Sequence, residues 1–218
     1  MLRRRFIASA LLGGAGLTIP SGTAWAKKPP APVAEIAVPI VIAVAARKLD
    51  DKGKPRLEPV VTRAFVEAQL EAANEVFKPH ALRFFERDAA STLPESAARL
   101  ETAADRDALA SSMVSGVANV YFVESLRDVD DPKLYRMGVC WRKLSNLKKK
   151  YVIVAASAQP TTLAHELGHY LGNPHSTVKN NLMSYDRDGG KVFLDDAQGQ
   201  RARKTARALF ASKELVTQ

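Results

Sequence analysis

Residues 161–175 read TTLAHELGHYLGNPH, and the interpretation of the whole chain starts from this short stretch. His165 and His169 are four residues apart, so on a helix both imidazoles project from the same face. Gly172 can adopt a positive φ, which ends a helix and turns the chain sharply. His175 follows that turn and can swing back toward the other two rings. The stretch therefore predicts a helix with three histidines gathered at one side.

The chemistry of these side chains indicates zinc. Two imidazole nitrogens at this spacing suit a tetrahedral zinc ion, and His175 can supply a third nitrogen. Glu166 is too close in sequence to be a comfortable third ligand on the same face, but it can reach a water on the metal and act as a general base. The opposite face of the helix has the spacing of a core face. Its apolar residues are Leu163, Leu167, Tyr170 and Leu171.

The pattern HExxHxxGxxH over residues 165–175 resembles the zinc-binding signature of the metzincin metalloendopeptidases. That family adds a tight turn with a methionine under the zinc, and the segment NLMSY at residues 181–185 is similar to this Met-turn. The resemblance implies that Met183 forms a soft apolar floor beneath the imidazoles. It also implies hydrolysis of peptide bonds by a water that zinc polarises and Glu166 deprotonates.

Met183 and Tyr185 together resemble the Met-x-Tyr variant of the astacin, serralysin and pappalysin branches. The resemblance to astacins and serralysins implies that Tyr185 approaches the zinc and helps to stabilise the oxyanion. The alternative is a tyrosine that is simply packed in the turn. The glycine repeats that bind calcium in serralysins are absent from the sequence.

The order of predicted elements indicates an α/β (α+β) domain. The resemblance specifies a metzincin-like fold with a twisted, mostly parallel sheet, an antiparallel edge strand, an active-site helix, a Met-turn and a C-terminal helix. Hydrophobic patterning and turn residues place the elements. The predicted strands are 38–45, 81–86, 117–123, 137–141 at an edge, and 151–155. The first predicted helix starts at Thr62 and ends before Pro79. Three further helices are predicted over residues 105–114, 161–171 and 195–212. A polar turn is predicted for residues 50–59.

The N-terminus predicts export. Three arginines precede an apolar run of about 14 residues, and Ala24 to Ala26 provide an Ala-x-Ala exit, so residues 1–26 are interpreted as a cleavable signal peptide. Arg3-Arg4-Arg5 also resembles a twin-arginine signal. The predicted location is the periplasm or the exterior, without stable membrane insertion after cleavage. Residues 27–37 are interpreted as a Pro-rich linker and residues 38–218 as the catalytic domain, with subdomains 38–172 and 173–218.

Composition narrows the remaining possibilities. The chain has 218 residues, of which 46% are hydrophobic, and a net charge of +9. This composition is ordinary for a globular protein, so it excludes collagen and wholesale disorder. The single cysteine, Cys140, excludes an internal disulfide framework. The densest basic run, Lys148-Lys149-Lys150, has no aromatic neighbours suited to stacking on bases, so no nucleic-acid partner is predicted.

The sequence thus predicts an exported zinc endopeptidase that acts on a peptide or protein substrate, in an oligomeric state the sequence leaves open. Two alternatives stay open. One is a non-catalytic binding protein of the cell envelope that zinc stabilises. The other is a metallohydrolase or amidase that acts on cell-wall peptides.

Overall fold

The central strand of the molecule comes from an apolar run rich in β-branched residues. In the computed structural model, which describes residues 33–51 and 54–217, this strand is β1 (Ile36–Asp51). Val38, Ile40 and Ile42 have no exposed surface. A strand that is buried on both faces reads as a continuous apolar run rather than an alternating one, and this is the pattern typical of a parallel sheet.

Most pairings in the main sheet are parallel. β1 pairs in parallel with β3, β4 and β6, and β6 pairs in parallel with β9. β8 pairs antiparallel with β9 and is the last strand on that side of the sheet. The predicted mixed architecture with a mostly parallel sheet is therefore confirmed. The remaining strand bounds are β2 Lys54–Pro59, β3 Leu82–Glu86, β4 Ser91–Leu93, β5 Arg99–Leu100, β6 Ala118–Val123, β7 Ser125–Leu126, β8 Gly138–Arg142 and β9 Lys150–Ala155.

In the described part of the chain, four α-helices accompany the sheet: α1 Arg63–Phe77, α2 Ala103–Ala108, α3 Thr162–Tyr170 and α4 Asp196–Ala211. The hydroxyl of Thr62 caps α1 by accepting a hydrogen bond from the Phe65 N–H at 3.2 Å. Asp195 and Gln198 form a reciprocal capping box at the start of α4. Helix α1 packs against α3 and β3, and α3 packs against β8 and β9. The residues that carry the histidine motif are thus enclosed by the sheet on one side and α1 on another.

The predicted polar turn over residues 50–59 is wrong. β1 continues to Asp51, and β2 pairs with its end as an antiparallel ladder that matches Arg47 with Glu58. Nearly every residue of β2 is exposed. A strand without a buried face shows no hydrophobic alternation in its sequence, so its pattern does not predict a strand. Backbone hydrogen bonds to β1 hold it in place.

Other boundaries differ at the ends of elements. The predicted linker reaches residue 37, whereas β1 already begins at Ile36. The predicted helix over 105–114 is α2, which continues as a 3₁₀ helix over Leu109–Ser112. Strands β4, β5 and β7 were not predicted, since two or three residues are too few to show a period.

From Val33 onward the chain forms one compact unit. Within the two described ranges, no helix is long and apolar enough to cross a membrane. The predicted signal peptide lies outside the described residues, as do residues 27–32 of the predicted linker. Export and the subdomain boundary at residue 172 stay predictions.

Candidate metal centre

Helix α3 is short and almost completely buried, and it carries the first two histidines. Every residue of the helix except His169 is buried. His165 and His169 are one turn apart, so their imidazoles lie together on one side. The rings meet edge to face with centroids 4.7 Å apart.

The backbone after α3 returns the third histidine to the same point. Gly172 adopts φ +86°, the left-handed conformation that favours glycine at a helix end. The amide of Asn173 donates to the carbonyl of Gly168 at 3.0 Å, which closes the turn. Further along, the amide of Ser176 donates to the carbonyl of Met183 at 2.9 Å. These bonds fix the path on which His175 lies.

The three Nε2 atoms converge. Nε2 of His169 is 3.1 Å from Nε2 of His165 and 3.0 Å from Nε2 of His175. Nitrogens bound to one tetrahedral zinc at about 2.0–2.1 Å lie roughly 3.3 Å apart, so the observed spacing is close to that of a ligand set. Within residues 33–51 and 54–217, these three histidines are the one group of three or more His, Cys, Asp or Glu side chains whose ligand atoms converge.

Hydrogen bonds on the other ring nitrogens fix the tautomers. Nδ1 of His165 donates to the carbonyl of Leu182 at 2.7 Å, and Nδ1 of His169 donates to the carbonyl of Asn173 at 2.8 Å. With the proton on Nδ1, each Nε2 presents a lone pair to the point of convergence. Such lone pairs repel one another unless a cation lies between them. Burial lowers the pKa of His165 to about 4 and also lowers that of His169, so both rings are neutral at neutral pH.

Three neutral imidazoles are a donor set that suits a borderline-soft divalent cation. The residues present therefore fit a metal ion, and zinc is the ion that the sequence predicts. Cys140 does not belong to the converging group, and burial raises the pKa of its thiol to about 12.

Glu166 lies beside the histidines with its side chain turned toward β8. It is 7% exposed, and its carboxylate accepts a hydrogen bond from the backbone N–H of Cys140. Burial raises the pKa of Glu166 to about 7, while that hydrogen bond lowers it. Gly138 allows the close approach, because a Cβ there would lie 2.9 Å from Cγ of Glu166 and 2.8 Å from Cγ2 of Thr162.

Tyr185 also reaches the histidine cluster. Its hydroxyl lies 2.8 Å from Nε2 of His175, within hydrogen-bond distance, while the residue as a whole is 71% exposed. Partial burial of the hydroxyl and the nearby Glu166 carboxylate raise the pKa of Tyr185, so the hydroxyl keeps its proton at neutral pH. The hydroxyl thus lies at the histidine cluster, and the predicted role of Tyr185 at the zinc and the oxyanion stays a prediction.

The segment that contains Met183 is tied to α4. Met183 is completely buried and lies against Gly168 of α3. The Asn181 amide exchanges two hydrogen bonds with the Gln198 amide, at 2.7 and 3.0 Å. The Asn181 side chain also accepts from the Met183 N–H at 2.9 Å. The start of α4 thereby holds residues 181–185, the methionine turn, against the underside of α3.

Two residues that support the site were not predicted from the sequence. Gln69 of α1 accepts from the Leu163 N–H at 3.0 Å and donates to the Gln159 carbonyl at 2.7 Å. Arg187 donates to the Leu182 carbonyl at 2.9 Å, the same oxygen that holds His165. Neither side chain belongs to a recognisable motif, because its partners are backbone groups. Those of Gln69 are 94 and 90 residues away along the chain, and those of Arg187 are five and seven residues away.

An open cleft runs along β8 past the histidines. Two cavities, of about 410 and 450 Å³, both touch Gly138, Glu166 and Tyr185. One extends along the rest of β8, and the other extends toward the start of α3. The edge of β8 that faces away from β9 pairs with no other strand among the described residues.

Comparison with known proteins yields a structural likeness only. No protein-family model matches the sequence, and no curated protein matches it. Among solved structures, the chain is similar to metalloproteinase-II from Bacteroides fragilis, with a TM-score of 0.51 and 14% sequence identity. The match covers 80% of this chain and 55% of that one, so the chain spans about half the length of its structural neighbour. At this identity the likeness supports the fold alone.

Proposed function

We propose that the protein is an exported zinc-dependent endopeptidase. The observation that carries the proposal is the convergence of the Nε2 atoms of His165, His169 and His175, with the Glu166 carboxyl group beside them in an open cleft. The fold shared with a metalloproteinase supports it. A purely structural zinc site normally has a fourth protein ligand and gains nothing from a general base.

In this proposal, different residues of the chain have different roles in hydrolysis. His165, His169 and His175 would hold the zinc ion, which would supply Lewis-acid chemistry when bound. The Glu166 carboxylate accepts the proton of the attacking water and then passes it to the leaving amine nitrogen. The hydroxyl of Tyr185 donates a hydrogen bond to the negatively charged oxygen that forms at the scissile carbonyl.

The substrate lies extended along β8 in this proposal. One edge of that strand pairs with no other strand within residues 33–51 and 54–217, and an added strand would gain backbone hydrogen bonds there without any particular side chain. The cleft next to it contains Glu166 and Tyr185, so the scissile bond of a peptide in this position lies beside both groups.

Metal analysis and digestion of a peptide library test the proposal together. The purified protein is expected to contain one zinc per chain and to cleave internal peptide bonds. Glu166→Gln keeps the metal ligands and nearly the same shape, so it should retain zinc and lose hydrolysis by at least about a hundredfold.

The outcomes separate the alternatives. Stoichiometric zinc without hydrolysis of any library member or cell-wall peptide would favour the non-catalytic binding protein. Cleavage confined to cell-wall peptides would favour the amidase. Full activity in Glu166→Gln would remove Glu166 as the base.

A further inference from the structure

The cavity at the start of α3 differs in charge from the rest of the cleft. Its wall includes His165 and Glu166, so a group seated there lies next to the reacting bond in the proposed function. Its volume of about 450 Å³ is ample for one long side chain. Its lining also includes Arg136, Arg187 and the start of α3 at Thr161 and Thr162.

Arg187 supplies a positive charge to this cavity, and among the described residues no carboxylate forms an ion pair with it. Its guanidinium donates to two backbone carbonyls, that of Asn180 at 3.3 Å and that of Leu182 at 2.9 Å. Burial lowers its pKa. Arginine stays protonated under these conditions, and two carbonyls use only part of its five N–H donors.

The other charges of the cavity do not offset Arg187. Arg136 is paired with Asp128, which is buried and lies outside this cavity. Glu166 is the one carboxyl group on the lining, and it is already hydrogen-bonded to the backbone N–H of Cys140 on β8. The first turn of α3 lies on the same wall and adds the partial positive charge of a helix N-terminus. A negatively charged group is therefore favoured in this cavity.

The second cavity of the cleft does not have this excess of positive over negative charge. Its lining places Asp128 and Asp130 among the arginines. Its most buried arginine, Arg106, is 3% exposed and lies beneath the Trp141 ring at 4.8 Å, so substrate has little access to it. Charge selection by the cleft is accordingly confined to the side of Arg187.

We infer that Arg187 is a specificity-determining residue that binds the carboxylate of a substrate Asp or Glu next to the scissile bond. The inference rests on the proposed endopeptidase function and adds the substrate class to it. Arginine and carboxylate pair through two parallel hydrogen bonds, which also fixes the orientation of the bound side chain. A lysine side chain at the same substrate position would instead meet a like charge.

Cleavage-site profiling with the zinc-loaded protein tests the inference. A library with Glu, Gln or Lys at each position flanking the cleaved bond is expected to show a Glu preference at one position only. The ratio of kcat/KM for the Glu peptide over its Gln counterpart should be about tenfold or more, the effect typical of a hydrogen bond to a charged group. Arg187→Gln should reduce this ratio to about 1, and Arg187→Glu should shift the preference to Lys.

Each ratio is taken within one variant, so a partial loss of zinc caused by the lost bond to Leu182 cancels out. Arg187→Lys should keep a reduced Glu preference, because it retains the charge and loses the paired geometry. Arg56→Gln is the matched control, since Arg56 lies on β2 at the far side of the sheet order from β8. It should leave the ratio unchanged.

Fluorescence anisotropy measures the binding of the Glu and Gln peptides to the Glu166→Gln protein. It tests the same preference for Glu over Gln without hydrolysis. Cleavage by the wild type with no preference for an acid, or an acid preference that survives Arg187→Gln, would overturn the inference and leave the proposed function intact. If no peptide is cleaved, the function fails. Equal binding of both peptides then overturns the inference as well, and Glu-selective binding lost in Arg187→Gln supports it.

Discussion

At the scale of single residues, one carbonyl oxygen organises much of the site. The oxygen of Leu182 accepts from Nδ1 of His165 and from the guanidinium of Arg187. The adjacent residue, Met183, fills the space beneath α3. An acceptor that binds Nδ1 fixes the orientation of the imidazole and leaves Nε2 free for a metal ion, and positional errors of about 1 Å at such a site are costly.

Gly168 is required by the packing of Met183. A Cβ at position 168 would collide with the Met183 sulfur and lie 3.2 Å from its terminal methyl carbon. Gly168→Ala is therefore expected to destabilise the protein by about 1–3 kcal/mol through overpacking. In a helix interior that is free of such contacts, the same change stabilises by up to about 1 kcal/mol. Urea denaturation measures the difference.

The control is the same substitution in a Met183→Ala background, where the colliding atoms are gone. There Gly168→Ala should be neutral or stabilising, and the double-mutant cycle isolates the contact. A stabilising effect of Gly168→Ala in the wild-type background would contradict the packing explanation.

At the scale of elements, α3 is held by side chains from other parts of the chain. Its own N-cap residue, Thr161, makes no side-chain capping bond, and Gln69 of α1 satisfies the Leu163 N–H instead. At the other end, the ammonium of Lys150 donates to the Tyr170 carbonyl at 2.7 Å and lies over the Tyr170 ring. Both ends of the helix that carries the ligands are thus fixed by tertiary contacts.

Gln69→Leu should weaken both the fold and the metal site. The leucine leaves the Leu163 N–H and the Gln159 carbonyl without partners in a position that is 2% exposed. The expected cost is about 1–3 kcal/mol of unfolding free energy, together with weaker zinc affinity because the start of α3 carries His165. Chemical denaturation and competition with a zinc chelator measure the two effects.

Glu71→Leu places the same new side chain at an exposed position of the same helix. It should change the unfolding free energy by less than about 0.5 kcal/mol and leave zinc affinity unaltered. Equal effects of the two substitutions would show that Gln69 acts only through the general packing of α1.

At the scale of the whole molecule, the sheet and the methionine turn enclose α3 and leave one side of it open to the cleft. The ligands come from α3 and from the segment after it, and that segment is tied through Asn181 and Gln198 to α4. A metal held by these ligands links parts of the chain that separate on unfolding. Binding energy at the site is therefore folding energy as well.

Removal of the metal should lower the melting temperature. A ligand that binds the folded chain at a hundred times its Kd adds about 2.7 kcal/mol of stability. For a domain of this size the loss corresponds to roughly 5–10 °C, which differential scanning calorimetry with and without a chelator detects. Added zinc should restore the original value.

His169→Ala provides the control for this experiment. The variant lacks the central ligand, so its melting temperature should not respond to the chelator. A chelator effect of equal size in both proteins would locate the metal elsewhere.

The sequence by itself determined the identity of the three histidines and the helix that carries two of them, because a four-residue spacing has one meaning on an α-helix. It also determined the buried strands, since β-branched apolar runs are clear local signals. The hairpin of β2 was missed because its exposed residues pair only through the backbone. The position of Gln69 was decided by the tertiary structure alone, because its partners are the backbone groups of Leu163 and Gln159, 94 and 90 residues away. The partners of Arg187 are carbonyls only five and seven residues away, so its position depends on how the chain turns locally after Leu182. Such partners carry no side-chain pattern that a sequence could show.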